Sequence, residues 1–338
     1  MVTLKDIARE ANVSVMTVSN VVNGNLSKVS NEKAEMIRSI LKKRKYVQNE
    51  SARSLAKANS NIVAIMLRNI QDENSLSSAH NATLLGAMIR KIQLLGFYAM
   101  ISLVETQEDI ALNLKSWNAQ GAIFLGMFDR EIEQIYALSA IPMVFIDSYS
   151  NVRQLSSVGI DDYKGGCLAA EYLLEKGHRS IAFISPPDYE NGVIQHRLRG
   201  FQDTLTRHGF PLSPAHRLVL ESDVDQRSVE QTVQALDWLR GDVTAAFVTS
   251  DQMAASLMGA LSNLSIRVPE DLSIIGFDNM LISTQVSPQL TTIEQNLTQK
   301  AALAVDILQH RLQNPDVPAE SRVLDVRLIE RNTVKTLG

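Results

Sequence analysis

Residues 3–25, TLKDIAREANVSVMTVSNVVNGN, set the reading of this 338-residue chain. Leu4, Ile7, Ala8 and Ala11 recur at i, i+3, i+4 and i+7, one apolar stripe on a short helix. Asn12-Val13 breaks the stripe, and Ser14 is a good N-cap for a second helix. That helix buries Val18, Val21 and Val22, and Asn23-Gly24-Asn25 ends it with residues that tolerate left-handed backbone. Ser30 is placed to cap a third helix, with Ala34, Ile37 and Leu41 on its core face. Lys42-Lys43-Arg44-Lys45 closes its C-terminal turn, where positive charge complements the helix dipole. Two short helices joined by a tight turn and braced by a third make a helix-turn-helix unit, with the motif at about 4–23.

Beyond this head, residues 46–60 (YVQNESARSLAKANS) form a polar connector with one short helical segment expected at about 51–56. The pattern then changes to alternating strands and helices. Strands are expected at Ile62–Leu67, Phe97–Leu103, Ala122–Leu125 and Met143–Ile146. A second series follows at Ile181–Ile184, Leu218–Leu220, Ala245–Val248 and Leu272–Ile275. Amphipathic helices separate most of them, as at Leu84–Leu95 and Leu198–His208. Strands this apolar on both faces belong to parallel sheets covered by helices. The second series repeats the first: IVAIM (62–66) is answered by IAFIS (181–185), and VFID (144–147) by IIGFD (274–278). Thr291–Ile293 and Arg322–Leu328 remain to cross back and complete the sheets. The expected fold class is α/β: a small all-α head over residues 1–58, then two doubly wound parallel-sheet lobes over 61–338. Ligands of such sheets sit at the carboxyl ends of the strands, which two facing lobes place in a shared cleft.

Charge divides along the same boundary. Residues 1–58 hold eleven basic and five acidic residues, a net of +6, whereas the remainder holds 22 basic and 32 acidic, a net of −10. A basic head on an acidic body points to a polyanion at the head and a different partner at the body. With 45% hydrophobic and 21% charged residues, each domain can bury a core of its own. The single cysteine, Cys167, excludes an internal disulfide and any zinc cluster built on several thiolates. No apolar run reaches the length of a membrane span. The opening MVTLKDIARE carries charge where a signal peptide needs apolar residues, so a cytoplasmic protein without a membrane partner is expected.

An enzyme reading finds little support. The chain lacks a G-x-S-x-G elbow, a Walker loop, a G-x-G-x-x-G turn and an H-E-x-x-H pair. Cys167 reads as a buried thiol, and Asp161-Asp162 as diverging carboxylates at a helix start, with capping their expected role. His178, in the turn before a strand, reads as structural. No cofactor is expected.

The head closely resembles that of the LacI family of transcriptional repressors. The likeness rests on Thr3-Leu4-Lys5-Asp6-Ile7-Ala8, Ala11-Asn12-Val13-Ser14, Thr17-Val18-Ser19 and Val21-Val22-Asn23. Tyr46, Asn49, Ala52, Arg53 and Leu55 match the family's hinge. Its effector domain is matched by Gly177-His178-Arg179, Arg197-Leu198-Arg199-Gly200-Phe201, Val268-Pro269-Glu270-Asp271, Ile275-Gly276-Phe277-Asp278 and Pro288-Gln289-Leu290-Thr291-Thr292. The resemblance implies a homodimeric regulator of palindromic operator DNA whose effector domain is shaped like periplasmic sugar-binding proteins.

It also implies roles. Val15, Met16 and Asn20 stand at the base-reading positions. Two are apolar and suited to a thymine methyl, while Asn20 can bond adenine bidentately. The hydroxyls of Thr17, Ser19 and Thr3 suit phosphates. Ala52 and Leu55 belong to the hinge, with Leu55 expected to wedge into the minor groove. Ser51–Ala56 is far too short to be helical alone and is expected to order only with its dimer copy on DNA. Gln48 replaces the family's usual proline. In the body, Asp147, Tyr163, Arg197 and Asp278 stand at effector-pocket positions, and Ser250 stands where many members have Asn. Two carboxylates, an Arg fork and an aromatic plate suit a neutral polyol or sugar. Arg68-Asn69 and Asp72-Glu73 depart from the family's usual first-lobe loop. A repressor sensing a sugar is the leading reading. The same regulator sensing a nucleobase or nucleoside is the alternative, and a soluble carbohydrate carrier or enzyme the distant one. The missing leucine-heptad tail argues for a dimer over a tail-built tetramer.

Overall fold

The computed structural model describes residues 2–46, 60–69, 76, 78–127, 129–150, 154–187, 192–220, 226–238 and 242–338. It divides into two compact units, 1–60 and 61–338.

The first unit holds α1 (Leu4–Glu10), α2 (Val15–Val22) and α3 (Asn31–Lys43). Asn12 takes a positive φ of 49° and turns the chain out of α1, and Gly24 at 76° does the same after α2. Those left-handed residues make the tight reversals that two short helices need. A single 3₁₀ turn, Leu26–Lys28, lies between α2 and α3. Ile7, Ala8, Val18, Val21, Ala34 and Ile37 form the buried core, so the stripe read from sequence is the packed face. Ser30 is the N-cap residue of α3 but makes no side-chain capping bond.

The second unit contains two six-stranded sheets. In chain order its elements are β1 (Ile62–Arg68), α4 (Ala79–Leu94), β2 (Tyr98–Val104), α5 (Gln107–Ser116), β3 (Gly121–Leu125), α6 (Asp129–Leu138), β4 (Met143–Ile146) and β5 (Ser157–Ile160). They continue as α7 (Asp162–Glu175), β6 (Ile181–Ser185), α8 (Val193–Arg207), β7 (Arg217–Val219), α9 (Gln226–Trp238), β8 (Ala245–Val248), α10 (Asp251–Asn263) and β9 (Ser273–Asp278). The last are α11 (Ile282–Gln285), β10 (Thr291–Glu294), α12 (Leu297–Gln313), β11 (Ser321–Leu324) and β12 (Arg327–Ile329).

Sheet order is β11-β5-β4-β3-β1-β2 in the first lobe and β12-β10-β9-β8-β6-β7 in the second. All pairings are parallel except β10 with β12. The doubly wound, two-lobed architecture is as read from sequence, with two differences. Ser157–Ile160 forms a strand that the pattern did not suggest, because only alternate residues are fully buried and Gly159 interrupts the apolar run. The late segment 322–328 is two short strands that join different sheets, not one.

The chain crosses between lobes at 160–162, 294–297 and 324–327. Helix α12 returns to the first lobe, where Leu297, Ala301, Ala304, Val305 and Leu308 pack with β1, β3, β4 and α4. In the second lobe Phe183, Phe201, Phe247 and Phe277 pack ring against ring beneath the carboxyl ends of the strands. No helix among the described residues is long and apolar enough to cross a membrane.

Candidate functional site

On the head, the outward turn of α2 is held by its N-cap, Ser14. Ser14 accepts from the Thr17 backbone N–H at 3.1 Å, and the two hydroxyls lie 2.8 Å apart. This rigid turn leaves Val15 41% and Met16 70% exposed, while Val18 and Val21 anchor the opposite side. Among the described residues, neither Val15 nor Met16 belongs to the buried core of the unit. Asn20 is half-buried on the same helix, and Ser19 accepts from the Asn23 amide at 3.1 Å. Thr3 makes a capping box with Asp6, its hydroxyl donating to the carboxylate at 2.7 Å. The Thr3 and Thr17 hydroxyls, read from sequence as phosphate partners, thus already have partners inside the head. Of the hinge reading, Tyr46 packs against the head core, while Gln48, Asn49, Ala52, Arg53 and Leu55 lie outside the described residues.

In the second unit the carboxyl ends of the strands collect a dense set of charged groups. Asp147, just after β4, and Asp278, at the end of β9, both have positive φ, 53° and 112°. Such backbone costs energy for a non-glycine residue and persists where surrounding contacts fix it. The Lys300 ammonium on α12 donates to both oxygens of Asp147, at 2.6 and 2.9 Å, and to Gln295 Oε1 at 2.5 Å. Gln295 Nε2 in turn donates to Asp278 Oδ1 at 2.5 Å. The side chain of Lys300 is 1% exposed and that of Asp147 16%. Burial alone raises the Asp147 carboxyl, but the Lys300 charge and hydrogen bonds outweigh it and hold the group below its usual range.

A second chain of contacts faces the first. Arg197, in the second turn of α8, pairs through Nε with Asp162 Oδ1 at 2.7 Å and donates Nη1 to the Thr249 carbonyl at 2.8 Å. Its guanidinium lies 3.6 Å from the centroid of Phe277, and both members of the ion pair are buried. Burial works against the Arg197 charge, yet Asp162 and Asp278 hold it above its ordinary value. Tyr149, on the first-lobe segment after β4, donates its hydroxyl to Asp162 Oδ2 at 2.6 Å. Its ring stacks on His196 of α8 with centroids 4.2 Å apart. Burial, then the Asp162 carboxylate, push the Tyr149 hydroxyl far above its usual range.

Of the positions read from sequence, Asp147, Arg197 and Asp278 thus converge. Tyr163 does not join them: its hydroxyl is bonded to Asp203 at 3.0 Å, on a part-exposed side of α7 and α8. Ser250 caps α10, accepting from Met253 N–H at 3.4 Å. The ring beside the Arg fork is Phe277, within the Ile275-Gly276-Phe277-Asp278 motif, and Tyr149, which no motif flagged, joins the cluster through Asp162. Asp162, read as a capping group, is the ion partner of Arg197, while its neighbour Asp161 does the capping. Lys300 and Gln295 were likewise unmarked; the one available signal was a lysine at the apolar-face spacing of a helix, Leu297-Lys300-Ala301-Ala304. Among the described residues no group of three or more His, Cys, Asp or Glu is arranged to hold a metal.

A helix-turn-helix head joined to a two-lobed α/β body defines a DNA-binding transcriptional regulator. Residues 3–49 match the lacI family of bacterial regulatory proteins, and residues 170–334 a periplasmic binding protein-like domain. The chain is 29% identical over 339 residues to catabolite control protein A of Staphylococcus xylosus, covering 99% of each. It is 27% identical over 345 residues to the HTH-type transcriptional regulator GalR of Escherichia coli (strain K12), covering 99% of this chain and 96% of GalR. The crystal structure of the Lac repressor dimer bound to operator and the anti-inducer ONPF superposes with a TM-score of 0.85 at 28% identity, over 99% of both chains. The chain thus carries a lacI-family helix-turn-helix domain followed by a periplasmic binding protein-like domain. The relatives it matches are transcription regulators.

Proposed function

We propose that the chain is a repressor that binds a palindromic operator as a homodimer and responds to a small-molecule effector, a sugar, held between the lobes of its second unit. The observation that carries the DNA-binding half is α2: a capped, rigid turn presenting Val15 and Met16 to solvent beside Asn20, on a head with a net charge of +6. Apolar side chains there meet thymine methyl groups, and an Asn one helical turn on pairs with adenine. The likeness to an operator-bound Lac repressor dimer supports the dimeric arrangement. The effector half is supported by Asp147 and Asp278 at strand ends of the two lobes, with Arg197 of α8 beside them, where polar groups of a sugar find acceptors and a donor fork.

Operator binding measured over a salt series tests the reading. Lys and Arg release condensed counterions on meeting phosphates, so log affinity falls linearly and steeply with log salt. A flat response between low and moderate ionic strength, or protection of a single half-site by one protomer, overturns it.

A further inference from the structure

The two carboxylates expected to receive a sugar are not free acceptors. Lys300 holds both oxygens of Asp147, and Gln295, bonded to Lys300, holds one oxygen of Asp278. A relay of four side chains therefore runs from the first lobe, through the crossing at 294–297, to the second. A neutral polyol that takes Asp147 as its acceptor in place of Lys300 separates a buried ammonium from its carboxylate. Hydroxyls then replace charge on both sides, which is a poor exchange where water is excluded. A ligand that brings an anion of its own leaves Lys300 paired and frees Asp147 to accept hydroxyls. Of the two exchanges, only this one keeps a counter-ion on the buried ammonium. The remaining carboxylate, Asp278, keeps one oxygen beyond the Gln295 contact for a ligand hydroxyl.

We propose that Lys300 is a specificity-determining residue of the effector cleft, turning it from neutral polyols toward sugars that carry a carboxylate or phosphate. This rests on the reading of the cleft as the effector site. Lys300 acts as an internal competitor: specificity comes from what a neutral ligand must break as much as from what an acidic one gains.

Thermal shift and titration calorimetry on the full chain test it with matched sets: glucose, glucuronate and glucose 6-phosphate, and the corresponding galactose series. A native-state ligand raises the melting temperature by an amount that grows with the logarithm of its concentration over Kd. The expected result is that at least one acidic sugar binds the parent at least tenfold more tightly than its neutral counterpart, with the carboxylate and phosphate arms identifying which anion is preferred. Lys300→Met reverses that order, and Lys300→Arg, which keeps the charge, preserves it; a merely structural lysine would produce no reversal. If Lys300→Met does not fold, Lys300→Met/Asp147→Asn removes both charges together and must show the same loss of acid preference. An unchanged order in the lysine variants, a parent that binds neutral sugars as well as acidic ones, or silence toward both series overturns the proposal. Asp278→Asn separates this from failure of the underlying reading. If it abolishes binding while Lys300→Met leaves the order unchanged, only the role of Lys300 falls. If the same ligand binds all variants equally, the cleft is not its site.

Discussion

Asp251 shows how one buried group can carry chemistry that no sequence motif marks. It opens α10, is fully buried, accepts from the Met280 backbone N–H at 2.7 Å and from the Thr292 hydroxyl at 2.5 Å. Those bonds hold the turn at Asp278 and Asn279, both in positive φ, and so place Asp278 at the cleft. Burial and the Asp278 charge push the Asp251 carboxyl up to about 8, against the opposing pull of Thr292, Met280 and Arg331. An acid whose folded value lies above its unfolded one stabilises the fold fully below the unfolded value, near 3.8, and loses that contribution as pH climbs through about 8. Within that window the one proton is worth roughly 1.4 kcal/mol per pH unit. Asp251→Asn should therefore flatten the fall in stability between about pH 5 and 8. Urea midpoints collected across that range check it, and equal slopes in parent and variant would show that Asp251 is ionised throughout. Arg197 is a poor probe of the ligand for a related reason. Its removal strands Asp162 as a buried charge, a loss of about 3–5 kcal/mol that has nothing to do with ligand.

At the scale of elements, the cleft depends on how closely α7 and α8 approach. A methyl group at Gly166 would stand 2.0 Å from the Arg197 carbonyl oxygen, and one at Gly200 1.9 Å from that of Tyr163. These are backbone atoms, so no side-chain rotation relieves the overlap, and the helices must part. Gly166→Ala or Gly200→Ala should destabilise the body by an amount at or above the top of the roughly 1–3 kcal/mol range for overpacking. Both also pull Arg197 away from Asp162. Denaturation midpoints within error of the parent would show that the helices move apart freely. The elements themselves were largely legible because the physics that forms them is local. Apolar runs such as IVAIM and IIGFD are buried on both faces, and Ser14 and Gly24 terminate helices by their own chemistry. Ser157–Ile160 was not legible because only alternate residues are buried and Gly159 interrupts its short apolar run. In the cleft, Asp147, Arg197 and Asp278 were legible from motifs. Tyr149, Asp162, Gln295 and Lys300 were not, because pairings across 13 to 153 residues depend on the crossings between lobes.

Across the whole molecule, the regulation proposed above requires a free-energy coupling between operator and effector, for which the buried relay is the proposed physical source. Effector binding has to rearrange contacts that already join the lobes, so a ligand must favour one arrangement of Tyr149, Arg197, Lys300 and Asp278 over another to have any effect. Typical couplings are about 1–3 kcal/mol, a change of roughly 5–150-fold in operator affinity. Asp278 is the sharpest place to interrupt it. Asp278→Asn keeps the shape and an acceptor for Gln295, and it leaves the Arg197–Asp162 pair intact. What it removes is the charge that a ligand's hydroxyls or the Arg197 fork meet at the second lobe. Each protein's effector-free titration serves as its own reference, and the ratio of operator affinities with and without effector is the measured quantity. That ratio, whether the ligand tightens or loosens DNA binding in the parent, should collapse toward one in Asp278→Asn. A ratio equal to the parent's at saturating ligand would mean that the response travels without the second-lobe carboxylate, and the effector would then have to act from the first lobe alone.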